Sequence, residues 1–226
     1  MKAARGRRPR SVSTESESER LGADRRAALR LVTVSRETEE RLAVFVDLLA
    51  RWRKATNLIG ESTFPSVWTR HIADSAQLLL LAEGATRWLD MGSGAGFPGL
   101  VVAIQLAGTP GAVVHCVDSD QRRCAFLREA ARATGAPAVV HPVRVESLNR
   151  NDIVAVDCVT ARAFAPLLET LEFAKPWMES GALGLFPRGR SATRDLEQDP
   201  PPVLYAIETI PSVVDGDAAI LRVRMS

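Results

Sequence analysis

Residues 88–104 read WLDMGSGAGFPGLVVAI and place Gly92, Gly94, Gly96 and Gly99 between two apolar runs. Glycines this dense cost backbone entropy on ordering, so the space they leave must admit something close to the main chain. A glycine turn between a strand and a helix lets a ligand meet backbone N–H groups at the carboxyl end of a parallel sheet. Two acids flank that turn: Asp90 just before it and Asp118 at the end of the next apolar run, VVHCVDSD.

The spacing separates the candidate ligands. A dinucleotide fingerprint is GxGxxG, but the sixth position counted from Gly92 is Phe97, and the observed pattern is GxGxG. Asp118 suits the two hydroxyls of a ribose, a role common to NAD and adenosylmethionine sites. Asp90 would repel a pyrophosphate and suits a ligand carrying an ammonium and a sulfonium, which is adenosylmethionine. The competing reading of Asp90 is an acid that caps a helix or stabilises a turn.

Little else in the chain offers chemistry. Cys116, Cys124 and Cys158 are odd in number and form no CxxC pair, so neither a disulfide framework nor a metal site is expected. His115 and His141 fall in strand-like runs and read as structural. With 46% hydrophobic and 25% charged residues the composition is that of a soluble globular protein, and no apolar run is long enough for a membrane span. Of 29 basic residues five lie in the first ten, and the acidic residues number 27, so the remainder is net −3. Nucleic acid would therefore be met by a local patch rather than by overall charge.

The elements that must position the glycine turn follow from periodicity. Residues 1–34, from MKAARGRRPR through SVSTESESER, lack the apolar segment of a secretory signal and read as an unfolded basic and Ser/Glu-rich extension. Leu42, Phe45, Val46, Leu49 and Trp52 recur at helical spacing behind a Ser35 start signal, and SVWTRHIADSAQLLLLA supplies a second amphipathic helix. Residues 35–84 thus form a helical cap. Beyond it TRWLDM, GAVVHCVD, AVVHPVRV, DIVAVDCVTAR and GALGLFPRG read as strands that alternate with helical stretches, and PVLYAIETI and AAILRVRM close the chain as an antiparallel hairpin. Residues 85–226 are accordingly an α/β domain, a doubly wound seven-stranded sheet that is parallel except at the hairpin. Arg51, Arg53 and Lys54 beside Trp52, Arg70 with His71, and Arg122, Arg123, Arg188 and Arg190 offer a basic rim.

The elements WRKATNLIG, RHIADSAQLL, LDMGSGAGFPG, VDSDQRRCAFL, RVESL, TARAFAPL and PRG occur in an order and spacing that resembles the bacterial 16S ribosomal RNA guanine-N7 methyltransferases, the glucose-inhibited division protein B family. The similarity covers residues 36–225. It implies a Rossmann-like class I methyltransferase fold, adenosylmethionine as cofactor, and guanine 527 of 16S ribosomal RNA as target, met within the 30S subunit or an assembly intermediate; with no secretory signal in the sequence, a cytoplasmic protein is expected, and a monomer. Carried over by motif, Gly92, Gly94, Gly96 and Phe97 lie in the donor loop, Asp118 holds the ribose, Val145 and Glu146 border the adenine, and Arg162 stands at the reaction mouth. Asn57, Arg70, His71, Asp74 and Ser75 shape the wall facing donor or RNA, and Arg122, Arg123 and Arg188 extend toward the RNA. Arg122 and Arg188 stand where many relatives carry Lys, which keeps the charge and changes hydrogen-bond geometry.

Guanine N7 attacks through a lone pair that bears no proton, so no general base is expected. Two roles for Arg162 fit: contact with guanine O6 or a flanking phosphate, or a salt bridge to Asp90 or Glu146 that orders the pocket. The alternatives to this function are a methyltransferase acting on another RNA, a protein or a small molecule, an NAD-dependent dehydrogenase, and an RNA-binding module without catalysis.

Overall fold

A computed structural model describes residues 16–53, 56–153, 155–189, 196–197 and 200–225. Its first element corrects the sequence expectation. Residues 17–31, placed by composition in an unfolded extension, form helix α1 (Glu17–Leu31). Ser16 accepts the Glu19 N–H at 3.2 Å while the Glu19 carboxylate takes the Ser16 N–H at 2.8 Å, a reciprocal capping box that starts the helix. Packing then holds it: Ala28 and Val32 are buried, and the Arg25 guanidinium lies 5.0 Å over the Trp68 ring. Residues 1–15 of that extension lie outside the described residues.

Helix α2 (Arg36–Trp52) starts on Ser35, as expected, and buries Leu42, Phe45, Val46 and Leu49. The second expected helix, over residues 66–82, is broken into three pieces. A 3-10 helix (Glu61–Ser66) leads into a π-helix (Trp68–Ala73), followed by the short helices α3 (Asp74–Ala76) and α4 (Leu78–Leu81). Side chains enter its backbone bonding: Ser75 Oγ donates to the His71 carbonyl at 2.6 Å, and Gln77 Nε2 to that of Asp74 at 3.0 Å. Such competition by polar side chains interrupts the regular ladder.

The sheet has seven strands: β1 (Arg87–Met91), β2 (Val113–Val117), β3 (Ala138–His141), β4 (Cys158–Thr160), β5 (Leu183–Arg188), β6 (Tyr205–Pro211) and β7 (Ala219–Met225), in the order β3-β2-β1-β4-β5-β7-β6. The first five are parallel, and β7 runs antiparallel to both β5 and β6. This is the expected sheet with its terminal hairpin. Crossovers are made by α5 (Gly99–Gln105), α6 (Gln121–Thr134) and α7 (Leu167–Met178). The third and fourth strands are shorter than the apolar runs that announce them. Pro142 lacks an N–H to continue β3, and the chain turns into a 3-10 helix over Val145–Ser147.

Two apolar clusters flank the sheet. One joins Leu42, Phe45, Trp68 and Ile72 to Leu100 and Phe126, so the N-terminal helices share a core with α5 and α6. The other gathers Val117, Leu171, Trp177 and Phe186 under α7. Among the described residues no helix is long and apolar enough to cross a membrane. The strand order reverses between β1 and β4, the switch point at which open α/β sheets receive ligands.

Candidate active site

The glycine turn leaves β1 at this switch point. Asp90 is fully buried, and its Oδ2 accepts the Gly99 N–H at 3.0 Å, at the first residue of α5. A Cβ on Gly99 would come within 2.6 Å of Asp90 Cβ. The Asp90 carboxyl therefore starts a helix, and it borders neither of the cavities described below. This is the helix-starting role that the sequence left open for Asp90 beside that of a contact to a cationic ligand. Burial pushes its pKa up to about 7, and its Oδ1 is buried without a partner.

Gly92 has a similar explanation. Its φ is +72°, and a Cβ there would lie 2.5 Å from Phe164 Cδ2. The space left at Gly92 and Gly99 is thus taken by protein side chains, an aromatic ring and a carboxylate. Gly94 differs, because its N–H is held by Asp118 Oδ2 at 2.8 Å and a Cβ would meet only the Gly92 carbonyl, at 3.8 Å. Phe97 is buried and stacks with His71 at a centroid distance of 4.8 Å. Of the loop residues predicted from sequence, Gly92 borders the smaller of two cavities, whereas Gly94, Gly96 and Phe97 line neither of the two.

That cavity, of about 290 Å³, lies over β1 and β2 and is lined by Gly92, Asp118, Arg123, Val145, Glu146, Ala163, Phe164 and Phe173 among others. Asp118 is buried and rigidly held, since its Oδ1 accepts the Asp120 N–H at 2.8 Å while its Oδ2 holds Gly94. Arg123 stands 3.8 Å from the same carboxylate. Phe164 and Phe173 meet edge to face at 5.6 Å and form an apolar wall. Asp118, Val145 and Glu146 are thus brought together as predicted, and the two phenylalanines were not singled out by the sequence reading.

A second cavity, of about 730 Å³, is lined by Asp24, Arg70, Asp74, Arg162, Ala163, Arg188 and Asp215 among others. The two cavities have one lining residue in common, Ala163, whose φ of +49° is unusual for a residue with a side chain. Arg162 approaches Asp74 (Nε–Oδ2 3.5 Å) and donates from Nη2 to the Arg70 carbonyl at 3.2 Å. Its salt-bridge partner is therefore Asp74, in place of the expected Asp90 or Glu146. Its Nη1 is buried without a partner. Burial lowers the Arg162 pKa, with Asp74 opposing, and raises that of Asp74, with Arg162 opposing. Gln77 Nε2 and Ser212 Oγ also donate to the Asp74 carboxylate, at 3.1 and 3.3 Å.

His71, expected as a polar contact, has both ring nitrogens buried without partners, and burial together with Arg162 and Arg70 pushes its pKa down to about 3. It is a neutral ring. Arg188 lines the larger cavity, but its guanidinium donates to the Ala165 carbonyl (2.8 Å) and to Thr170 Oγ1 (2.9 Å), so it braces the segment after Arg162. Arg53 is likewise withdrawn from the expected basic rim. It is 8% exposed, bonded to Glu17 at 2.8 Å and Glu61 at 2.6 Å, and lies 3.8 Å over the Phe64 ring. Arg51, Asn57, Arg70 and Arg122 are exposed, and Lys54 and Arg190 lie outside the described residues. His115 and His141 bond to each other at 2.9 Å on neighbouring strands, in the structural role expected.

A family model described as rRNA small subunit methyltransferase G matches residues 38–213. The chain belongs to this GidB family. A family member from Bradyrhizobium diazoefficiens, Ribosomal RNA small subunit methyltransferase G, is 51% identical over 178 residues, covering 79% of this chain and 68% of that protein. The protein of the same name from Methylobacterium nodulans is 48% identical over 201 residues, 88% of this chain and 94% of the relative. Among solved structures, a putative O-methyltransferase from Klebsiella pneumoniae superposes with a TM-score of 0.61 at 14% identity, over 93% of this chain and 99% of that one. TrmN from Thermus thermophilus gives 0.51 at 22% identity, over 69% and 48%. These two likenesses show the methyltransferase fold. The family match begins after α1, which therefore lies outside it.

Proposed function

We propose that this chain transfers the methyl group of adenosylmethionine to N7 of guanine 527 in 16S ribosomal RNA, acting as a cytoplasmic monomer on the 30S subunit or an assembly intermediate. Family membership carries the class, a methyltransferase of small-subunit ribosomal RNA. The observation that supports the finer reading is the pair of cavities adjoining at Ala163, one fit for a nucleoside and the other bordered by Arg70 and Arg162.

The smaller cavity fits the donor. Asp118 is preset by two backbone N–H groups and keeps lone pairs for ribose hydroxyls, while Val145, Phe164 and Phe173 give a flat base an apolar setting. When bound, adenosylmethionine supplies a methyl group activated by its sulfonium. What the protein adds is alignment and the exclusion of water, which carry in-line displacements without proton transfer. His71, held neutral and stacked on Phe97, fills the wall and takes no proton. Arg162 is fixed by Asp74 and the Arg70 carbonyl, which leaves Nη1 to bond guanine O6 or a phosphate and hold N7 in line. Asp24 and Asp74 border the same cavity and offset the positive charge that the base acquires.

Mapping N7-methylguanine in 16S RNA from cells with and without the gene tests the reading, and identical maps overturn it. Transfer to 30S particles, compared with free RNA and free metabolites, separates the substrate classes. For Arg162→Lys, donor affinity should hold while turnover on the particle falls, and unchanged turnover would remove Arg162 from the reaction.

A further inference from the structure

Asp24, in the middle of α1, borders the larger cavity although α1 lies outside the stretch matched by the family model. Its Oδ2 accepts the N–H of Trp68 at 2.8 Å and that of Thr69 at 3.3 Å. These are the first two residues of the π-helix, whose preceding residue, Val67, offers no side-chain acceptor. Without Asp24 both donors lose their carboxylate, and hydrogen bonds to a charged acceptor are the stronger kind.

The contacts continue from there into the site. The π-helix delivers the Arg70 carbonyl to Arg162 Nη2 at 3.2 Å, and the turn that follows it delivers Asp74 to Arg162 Nε at 3.5 Å. Both groups that aim the Arg162 guanidinium therefore ride on a segment anchored at its start by Asp24. Neighbouring contacts hold α1 in place for this: Arg25 covers Trp68 and bonds Glu39 at 2.6 Å, and Glu17 bonds Arg53, which also holds Glu61 of the 3-10 helix.

We infer that α1 belongs to the substrate wall and that Asp24 is a positioning residue for methyl transfer, acting on Arg162 through the backbone of the π-helix. The inference rests on the functional reading given above. It predicts a split effect. The donor cavity shares no lining residue with α1, so losing Asp24 should spare donor binding and disturb the step that needs Arg162 in line.

The test uses the full chain with Asp24→Ala, Asp24→Asn and, on the exposed surface of α1, Arg30→Gln as control. Binding of adenosylmethionine is measured by calorimetry, kcat and KM on 30S particles lacking the methyl group, and hydrogen exchange over residues 68–74. In Asp24→Ala, kcat should fall about tenfold, the loss of a charge-assisted bond, with donor affinity within about twofold. Exchange over 68–74 should quicken. Asp24→Asn, whose amide oxygen still accepts, should recover most of the rate, and Arg30→Gln should match the parent. Parental kcat in Asp24→Ala, equal losses of donor affinity and kcat, or no recovery in Asp24→Asn would overturn the inference. If Asp24→Ala fails to fold, Asp24→Leu, which removes the accepting oxygens and keeps the side chain's bulk, takes its place, and parental kcat there overturns it equally. A parent enzyme that leaves 16S RNA unmethylated refutes the functional reading instead, and unchanged exchange over 68–74 then still overturns the anchoring role.

Discussion

The carboxylate of Asp90 and the amide of Gly99 are joined at 3.0 Å with no room for a methyl group between them. A side chain at residue 99 must displace a fully buried acid or tilt the start of α5 away from β1. Gly99→Ala should accordingly lower stability by about 1–3 kcal/mol, the usual cost of overpacking a core, and the melting temperature by several degrees. Thermal unfolding followed by circular dichroism checks this. An unchanged melting temperature would show that the turn yields freely.

Asp90 and His71 should give stability opposite slopes with pH. Burial raises Asp90 from an ordinary 3.8 to about 7, so the folded chain keeps a proton that the unfolded chain has released. Its contribution is complete below about pH 4 and lost as the pH rises to about 7. His71, lowered from 6.5 to about 3, contributes fully above its ordinary value and loses that contribution as the pH falls. The two partly cancel in the parent. Relative to it, Asp90→Asn should gain on the order of a few kcal/mol between pH 4 and 7, and His71→Gln should gain as the pH drops from 6.5 to 4. Urea titrations at fixed pH values separate the two, and a flat difference for either variant excludes that group.

Arg188 holds the segment that both cavities share. Arg188→Ala removes the guanidinium from the Ala165 carbonyl and Thr170 Oγ1 and leaves only the Thr170 hydroxyl on that carbonyl, so Ala163 and Phe164 lose most of their brace, and donor affinity should drop about tenfold. Arg188→Lys should recover little, because a point ammonium does not reproduce the fork that spans two acceptors. Calorimetry with adenosylmethionine reads both variants.

Asp118 organises the donor cavity from below. Asp118→Ala frees the N–H groups of Gly94 and Asp120, and adenosylmethionine affinity should fall at least about tenfold while the fold persists. A parental dissociation constant would remove Asp118 from the donor site.

The sheet was legible because its short strands are continuous apolar runs and its last two lie too close for a crossover helix, which leaves only a hairpin. Asp118 was legible for the same reason: an acid closing the second strand has one place to be. The glycines were legible as a tight turn, whereas their neighbours were not. Phe164 against Gly92 is a contact between distant parts of the chain, and a local pattern does not contain it. Arg53 and Arg188 were read as surface charge because a guanidinium looks alike in sequence whether it faces RNA or a carboxylate; tertiary structure alone assigned them to Glu17, Glu61 and the Ala165 carbonyl. Helix α1 was missed by weighting composition over the Ser16–Glu19 box that starts it.

That the two cavities have only Ala163 in common bears on the order of events in solution. If donor and RNA occupy the cavities as proposed, neither needs to pass through the other's chamber, so either should be able to arrive first. On that arrangement the thioether left after transfer should exchange while the ribosomal particle stays seated. Inhibition by the thioether should therefore be competitive against the donor and noncompetitive against the particle, and inhibition by the methylated particle should be competitive against the unmethylated one, a second pattern that a donor-first order would not give.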